Sequence, residues 1–233
     1  MNNLIISTIF NRIEHIQNRI KSACFRSGRK NENITLLPIS KNFELQTIHF
    51  LQKLGFYRFG ESKVKTIIQK SNYLPDLHLE WIVIGHLQTN KVKYLSKNIK
   101  EIHSLDRISL ALALDNYLKK QNRTMKILVQ VKTSEEYNKH GLSPDQLIPF
   151  LIFLSKIPSL KVEGLMTIAE NTSDLKKIRS CFRKLRKLNE YAKNESIPGI
   201  KLERLSMGMS NDFEIAIEEG STEVRIGSAI SKS

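Results

Sequence analysis

A regular alternation of short β-type runs with amphipathic helical segments constrains this 233-residue chain more than any other feature. The runs that predict strands lie at residues 34–40, 57–59, 80–84, 101–104, 125–132, 160–166, 203–206 and 222–226. Helical segments are predicted between them at 43–54, 61–71, 89–97, 107–121, 143–156, 173–192 and 211–218. Strands that alternate with helices pair in parallel, because each parallel pair needs a crossover connection. No Gly/Ser- or Pro-rich linker divides the chain, so we expect one domain over residues 1–233.

Eight strands with intervening helices predict a closed (β/α)8 barrel at the short end of its size range. The last strand is followed by too few residues for a full eighth helix. An N-terminal helix with Ile9, Ile13, Ile16 and Ile20 on its apolar face precedes the first strand, and we expect it to cover that gap. An open doubly wound sheet is the alternative. That fold favours a Gly-rich loop after the first strand, where this chain has Ser40-Lys-Asn-Phe43.

The formal net charge of +14, from 37 basic and 23 acidic residues, raises the alternative of a nucleic-acid-associated protein. The densest basic cluster lies within residues 175–188, around an apolar stripe at helical spacing. Those basic residues therefore predict a solvated outer face of a helix. The chain has no recognised nucleic-acid motif, and aromatic residues make up only 7% of it.

Several further features bound the class of protein. No segment reaches the length of about eighteen apolar residues that a membrane span requires, and the N-terminus lacks the basic region of a signal peptide. Cys24 and Cys181 form no disulfide framework, which is typical of a reducing compartment. None of the six histidines has metal-ligand spacing along the chain, so no metal site is predicted. We expect a cytoplasmic protein without a membrane partner.

The chemistry of a (β/α)8 barrel lies at the carboxyl ends of its strands, with phosphate held after strands seven and eight. Gly208 and Ser210 follow the seventh predicted strand, and Gly227 and Ser228 follow the eighth. Ser210 is expected to open a helix, although a serine there also caps helices without any ligand. Lys41 ends the first strand, where desolvation would favour a nucleophilic amine, although a strand-end lysine is commonly a surface residue. An amine and a phosphate cradle together favour a phosphorylated aldehyde such as pyridoxal 5′-phosphate (PLP).

A resemblance to a known family rests on motifs spread over almost the whole chain, from residue 33 to about 230. They are Leu36-Leu-Pro-Ile-Ser-Lys41, Phe59-Gly-Glu61, Ile84-Gly-His-Leu-Gln-Thr-Asn-Lys91, Ser206-Met-Gly-Met-Ser210 and Gly220-Ser-Thr-Glu-Val-Arg-Ile-Gly-Ser228. In order and spacing the chain resembles the YggS/PROSC family of pyridoxal phosphate homeostasis proteins. The resemblance implies the barrel of the alanine racemase N-terminal domain, a fold type III PLP protein, without that enzyme's second, β-rich domain.

By resemblance, Lys41 would hold PLP as an internal aldimine, Ser210, Gly227 and Ser228 would hold its phosphate, and Arg225 would face the pyridine nitrogen. Four further residues are implied near the cofactor: Ser62, Met166, Ser206 and Gly208. A guanidinium only donates hydrogen bonds, so Arg225 favours an unprotonated ring, which is a weaker electron sink. The resemblance thus implies a carrier in vitamin B6 homeostasis without classical turnover. An amino-acid racemase is the alternative; the expected partners are PLP-requiring apoenzymes or amino acids, and the expected state is a monomer.

Three departures from the family pattern lie near the expected site. Ser62 stands where the family usually has Asn, Ile82 where it commonly has His, and His86 where it commonly has Pro. These departures affect contacts around the ring rather than the covalent lysine.

Overall fold

The computed structural model describes residues 3–30, 34–136 and 139–231, and within them eight parallel strands form one sheet. The strands are β1 Thr35–Pro38, β2 Arg58–Glu61, β3 Glu80–Val83, β4 Ile99–Leu105, β5 Met125–Gln130, β6 Leu160–Met166, β7 Arg204–Met209 and β8 Glu223–Ile226. Their order is β1-β8-β7-β6-β5-β4-β3-β2, and a parallel bridge between Ile39 and Gly60 joins the two end strands. The predicted barrel is confirmed. The extreme ends of the predicted 1–233 domain lie outside the described residues.

The helices surround the sheet in chain order. They are α1 Asn3–Arg26, α2 Leu45–Lys53, α3 Val64–Tyr73, α4 Ile108–Lys120, α5 Leu147–Ser155, α6 Leu175–Asn194, α7 Phe213–Glu218 and α8 Ser228–Ser231. Each long helix buries one apolar stripe; α6 buries Ile178, Phe182 and Leu185 and leaves its basic side chains outside. Its first turn is capped by Asp174, which accepts from two backbone amides.

One predicted helix is wrong, and one short helix was not predicted. Residues 89–97 form a 3₁₀ helix at Thr89–Tyr94 instead of an α-helix. The 3₁₀ helix itself buries only Val92, so packing contributes too little free energy to offset the cost of nucleating an α-helix. The short α8 follows β8, and α1 packs against both α7 and α8. The N-terminal helix therefore covers the gap left by the missing full eighth helix, as predicted.

The core is continuous from the barrel to the surrounding helices, and it includes both free cysteines in buried positions. Among the described residues, every helix is too short or too polar to cross a bilayer. The carboxyl ends of β7, β8, β1 and β2 are neighbours around the barrel. The residues that follow those four strands therefore share one arc of the barrel mouth.

Candidate functional site

Lys41 lies in a 3₁₀ turn, Ser40–Asn42, directly after β1 at the barrel mouth. Ser40 is fully buried, and its hydroxyl donates to Glu61 Oε2 over 3.0 Å. Lys70 Nζ donates to the Ser40 carbonyl over 2.5 Å and to Glu61 Oε2 over 2.9 Å. The hydrogen bonds of Ser40 with Glu61 and Lys70 thus fix the backbone immediately before Lys41. Lys41 itself is exposed, so the structure does not show the predicted desolvation of its amine.

The contact of Lys70 with Ser40 and Glu61 was not predicted from the sequence, because a lysine in an amphipathic helix normally lies on the solvent face. In α3 it lies on the same buried stripe as Val64 and Ile67. That spacing along the helix was the available signal. Lys70 is only 8% exposed, and a buried ammonium of this kind requires a carboxylate partner, which Glu61 supplies.

Arg225 crosses the carboxyl ends of β7 and β6 inside the barrel and is only 3% exposed. Its Nη1 donates to the Ser206 carbonyl over 2.7 Å and to the Ser206 hydroxyl over 3.1 Å. Its Nη2 donates to the Thr167 carbonyl over 2.8 Å. Burial lowers the pKa of Arg225 to about 10, although the negative charges of Glu223 and Asp212 oppose that change. The guanidinium is therefore a cation at neutral pH, held mainly by neutral oxygens.

Gly227 and Ser228 form the turn from β8 into α8. The backbone approaches β1 so closely that a Cβ on Gly227 would lie 3.2 Å from the Ile39 carbonyl oxygen. The Ser210 hydroxyl accepts from the Ala229 amide over 3.2 Å, in the first turn of α8. The Ala229 amide is thus already bonded, while the Ser210 hydroxyl keeps its own O–H group as a donor that could bind an anion.

The sequence predicted that Ser210 begins α7, but in the structure its hydroxyl contacts the first turn of α8. A turn at Ser210–Asp212 separates β7 from α7, and Asp212 is the residue that precedes Phe213 at the start of α7. Asp212 Oδ1 accepts from the Met209 amide over 2.5 Å. Burial raises the pKa of the Asp212 carboxyl, opposed by that hydrogen bond and by Arg225. Asp212 was not predicted, although an acidic residue before a helix is a familiar signal.

The remaining predicted residues occupy different depths of the barrel mouth. Gly208 has φ +94°, and a Cβ there would lie 2.6 Å from the Ala216 Cβ, so its role is the close approach of α7. The Ser206 hydroxyl is fully buried and joins Arg225 to Glu223. Met166 is fully buried at the end of β6. The Ser62 amide donates to Glu61 Oε1 over 2.7 Å.

Three side chains with no sequence proximity also meet near the mouth. His86, Asp106 and His140 follow β3, β4 and β5, and one ligand atom from each lies within 4.8 Å of the others. Burial lowers the pKa of His86, as do the neighbouring His140 and Arg107, while Asp106 opposes the change. Spacing along the chain could not reveal this cluster, since it is assembled only by the barrel.

The loop that contains His140 is fixed to the end of β5. The Leu142 amide donates to the Gln130 carbonyl over 2.8 Å, and the Lys132 amide donates to the Leu142 carbonyl over 2.9 Å. The Gln130 side chain donates to the His140 carbonyl over 3.0 Å. These bonds anchor residues 140–142 to the end of β5.

Comparisons with known proteins place these observations in context. A family model described as the alanine racemase N-terminal domain matches residues 42–232. The pyridoxal phosphate homeostasis protein of Aquifex aeolicus is 40% identical over 219 residues, which cover 94% of this chain and 95% of that protein. The structure of PipY from Synechococcus elongatus PCC7942 with PLP bound has a TM-score of 0.81 at 31% identity, over 92% of this chain and 99% of PipY. Alanine racemase of Clostridium difficile 630 has a TM-score of 0.76 at 12% identity, over 96% of this chain and 56% of the enzyme, which shows a shared fold alone.

Proposed function

Because the chain belongs to the family of pyridoxal phosphate homeostasis proteins, we propose that it binds PLP through a Schiff base on Lys41 and maintains the supply of that cofactor. The observation that carries the proposal is the arrangement around one arc of the mouth. An exposed lysine on a fixed turn follows β1, and the turn into α8, which the Ser210 hydroxyl contacts, follows the neighbouring β8.

The residues present fit the chemical needs of PLP. Its phosphate requires donors, which the hydroxyls of Ser210 and Ser228 at the turn into α8 would supply. Its aldehyde requires an accessible amine, which the exposed Lys41 supplies. When bound, PLP supplies an aldehyde that condenses with amines and a ring that withdraws electrons. The turn that carries Lys41 is held by Lys70, so the backbone from which the amine extends is fixed.

Arg225 is the residue that separates storage of PLP from turnover. As a donor-only group it would hold the pyridine nitrogen unprotonated and so weaken the ring as an electron sink. Its guanidinium is fixed by the Ser206 and Thr167 carbonyls. This arrangement supports a protein that holds and releases PLP, with PLP-requiring apoenzymes or amino acids as recipients.

The basic surface supports a monomeric, cytoplasmic carrier better than a nucleic-acid-binding protein. In α6, Arg179 and Arg183 form ion pairs with Glu218, the last residue of α7, and with Glu219, which follows it. Part of the densest basic cluster is therefore neutralised within the chain. The net charge of +14 opposes self-association at low salt.

The proposal is tested by locating the amine that holds PLP. Purified protein loaded with PLP is expected to show a visible absorbance band, and borohydride is expected to fix the cofactor on the peptide that contains Lys41. Lys41→Ala should abolish both signals, because the Schiff base requires this amine. Lys63→Ala is the matched control, since Lys63 is an exposed lysine just after the neighbouring β2.

Two outcomes would contradict the proposal. An unchanged absorbance band in Lys41→Ala would assign the Schiff base to another lysine. Deuterium exchange at the Cα of alanine or serine, well above that of free PLP and absent from Lys41→Ala, would replace the carrier by a racemase-like enzyme.

A further inference from the structure

The cluster of His86, Asp106 and His140 lies on the side of the mouth away from β8, after three consecutive strands. The two imidazole rings are stacked, with their centroids 3.9 Å apart and an angle of 16° between their planes. His86 Nδ1 lies 3.7 Å from Asp106 Oδ2. Two imidazoles and one carboxylate from three different loops therefore bring one ligand atom each to within 4.8 Å of the others.

We propose that His86, Asp106 and His140 form a binding site for a divalent transition metal ion, with Zn²⁺ as the representative ion. Two imidazole nitrogens and a carboxylate oxygen are a ligand set that such ions accept, with water in the remaining position. Ligand atoms about 2 Å from one tetrahedral ion lie about 3.4 Å apart. Both histidines are exposed, so a bound ion would require only rotation of their side chains to bring the ligand atoms to that distance.

The carboxylate of Asp106 is already oriented for this role. Arg107 Nη1 donates to Asp106 Oδ1 over 2.6 Å, and its Nη2 donates to the Leu87 carbonyl over 2.6 Å. Asp106 Oδ1 is thus occupied, while Oδ2 faces His86. Outer groups that orient a metal-binding carboxylate in this way contribute substantially to metal affinity.

The backbone that carries the two histidines is also fixed. The Ser104 hydroxyl donates to the Gly85 carbonyl over 2.7 Å, which ties the residue before His86 to β4. The Gln130 side chain holds the His140 carbonyl over 3.0 Å. The loops that carry the two histidines are therefore anchored to β4 and β5, and binding an ion requires little ordering of the backbone beside them.

The nearby cations are neutralised by their own partners. The charge of Arg107 is compensated by Asp106 itself, which leaves a net neutral pair beside the histidines. Lys139, next to His140 in sequence, forms an ion pair with Glu136 and donates to the Ala169 carbonyl.

Titration of the untagged, full-length chain with Zn²⁺ tests the proposal, after a chelator has removed bound metal. We expect one equivalent of Zn²⁺ to bind and to shift the ring-proton resonances of His86 and His140 together. His86→Gln and His140→Gln should each weaken binding by at least tenfold, as should Asp106→Asn. Mg²⁺ should not compete, because it prefers oxygen ligands.

The matched control is His49→Gln, which removes an exposed histidine from α2 and should leave the affinity for Zn²⁺ unchanged. The proposal is overturned if the wild-type chain binds no stoichiometric Zn²⁺. It is equally overturned if His49→Gln weakens binding as much as His86→Gln, since that would indicate adventitious surface histidines. Circular dichroism of each variant shows whether it is folded, and His140→Gln removes only an exposed side chain.

Discussion

The two ends of the barrel both contain buried charge, but they arrange it in opposite ways. At the N-terminal end, Arg204 contacts three carboxylates: Glu101 over 2.9 Å, Glu163 over 2.9 Å and Glu223 over 2.8 Å. At the mouth, and within the described ranges, Arg225 forms no ion pair and donates to carbonyl and hydroxyl oxygens. The charge of Arg204 is therefore balanced by carboxylates, whereas the buried charge of Arg225 has only neutral hydrogen-bond partners among the described residues.

The pKa values of the two arginines express that difference. Burial alone would lower the pKa of Arg204, yet Glu223 and Glu101 raise it above its ordinary value. For Arg225, burial dominates and lowers the pKa to about 10. Breaking the paired network would cost stability, whereas the buried cation without a carboxylate partner is itself a cost, which agrees with the proposed role of Arg225 in binding PLP. This agrees with the general division of barrel ends into a stabilising face and a functional face.

The two ends are joined by one hydroxyl. Ser206 donates to Glu223 Oε1 over 3.0 Å and accepts from Arg225 Nη1 over 3.1 Å. A single buried serine therefore links the ion network to the arginine at the mouth. The same substitution placed at each end can separate stability from cofactor binding.

Arg204→Gln should produce the largest effect. It leaves Glu101 and Glu223 with Arg58 and His103 as their remaining partners, and breaking a buried network of this kind costs about 3 kcal/mol. Urea unfolding at pH 7 should show this loss in the free energy of unfolding. The absorbance of bound PLP per folded molecule should be unchanged, because no mouth residue is altered.

The pH dependence of that loss distinguishes charge from packing. Burial would raise the pKa of Glu101, but His103, Arg204 and Arg58 hold it well below 4.5, its ordinary value, and the pKa of Glu223 is also lowered. A lowered carboxyl pKa stabilises the folded state above the unfolded pKa, and this stability is lost as the pH falls below 4.5. Arg204→Gln lacks part of this pH-dependent stabilisation, so the difference in free energy of unfolding between wild type and variant should become smaller in acid. A difference that stays constant from pH 7 to acid would show that the substitution removed only packing.

Arg225→Gln should have the opposite balance of effects. The glutamine amide keeps a donor but removes the buried charge, so the free energy of unfolding without PLP should fall by less than about 1.5 kcal/mol. Affinity for PLP should fall about tenfold, which corresponds to about 1.4 kcal/mol. Dialysis of the loaded protein measures the second quantity. Unchanged PLP retention together with a stability loss equal to that of Arg204→Gln would remove the functional distinction between the two ends.

The sequence predicted the framework of this comparison but not its partners. Alternating patterns located all eight strands, because short runs between helices leave few other choices. Strand ends then identified Lys41 and the loops of Gly227 and Ser228, since topology alone brings those positions to one face. The sequence could not predict contacts between different elements, such as that of Lys70 with Ser40, because these depend on the direction of each side chain and on how deeply it is buried.

The sequence prediction for Ser210 was also wrong, because a tertiary contact outweighed the local preference of serine for the start of a helix. Ser210 precedes a helix in sequence, and that position suggested the anion-binding end of α7. Its hydroxyl instead meets the Ala229 amide of α8, which the sequence showed only as a short tail. The exposed state of Lys41 likewise depends on how far the 3₁₀ turn projects from β1, and no residue pattern encodes that distance.

Ser210→Ala should produce the smallest effect and sharpens the comparison at the level of one hydroxyl. Removing a single hydrogen bond should weaken PLP binding about threefold, and stability should change by no more than about 0.5 kcal/mol. Affinity for pyridoxal, which has no phosphate, should be unchanged in the same variant, whereas Lys41→Ala should weaken both ligands. Ser22→Ala, at an exposed position of α1, is the control for loss of a serine hydroxyl. An equal loss of affinity for PLP and pyridoxal would mean that Ser210 only supports the turn into α8, and the phosphate site would then rest on backbone amides alone.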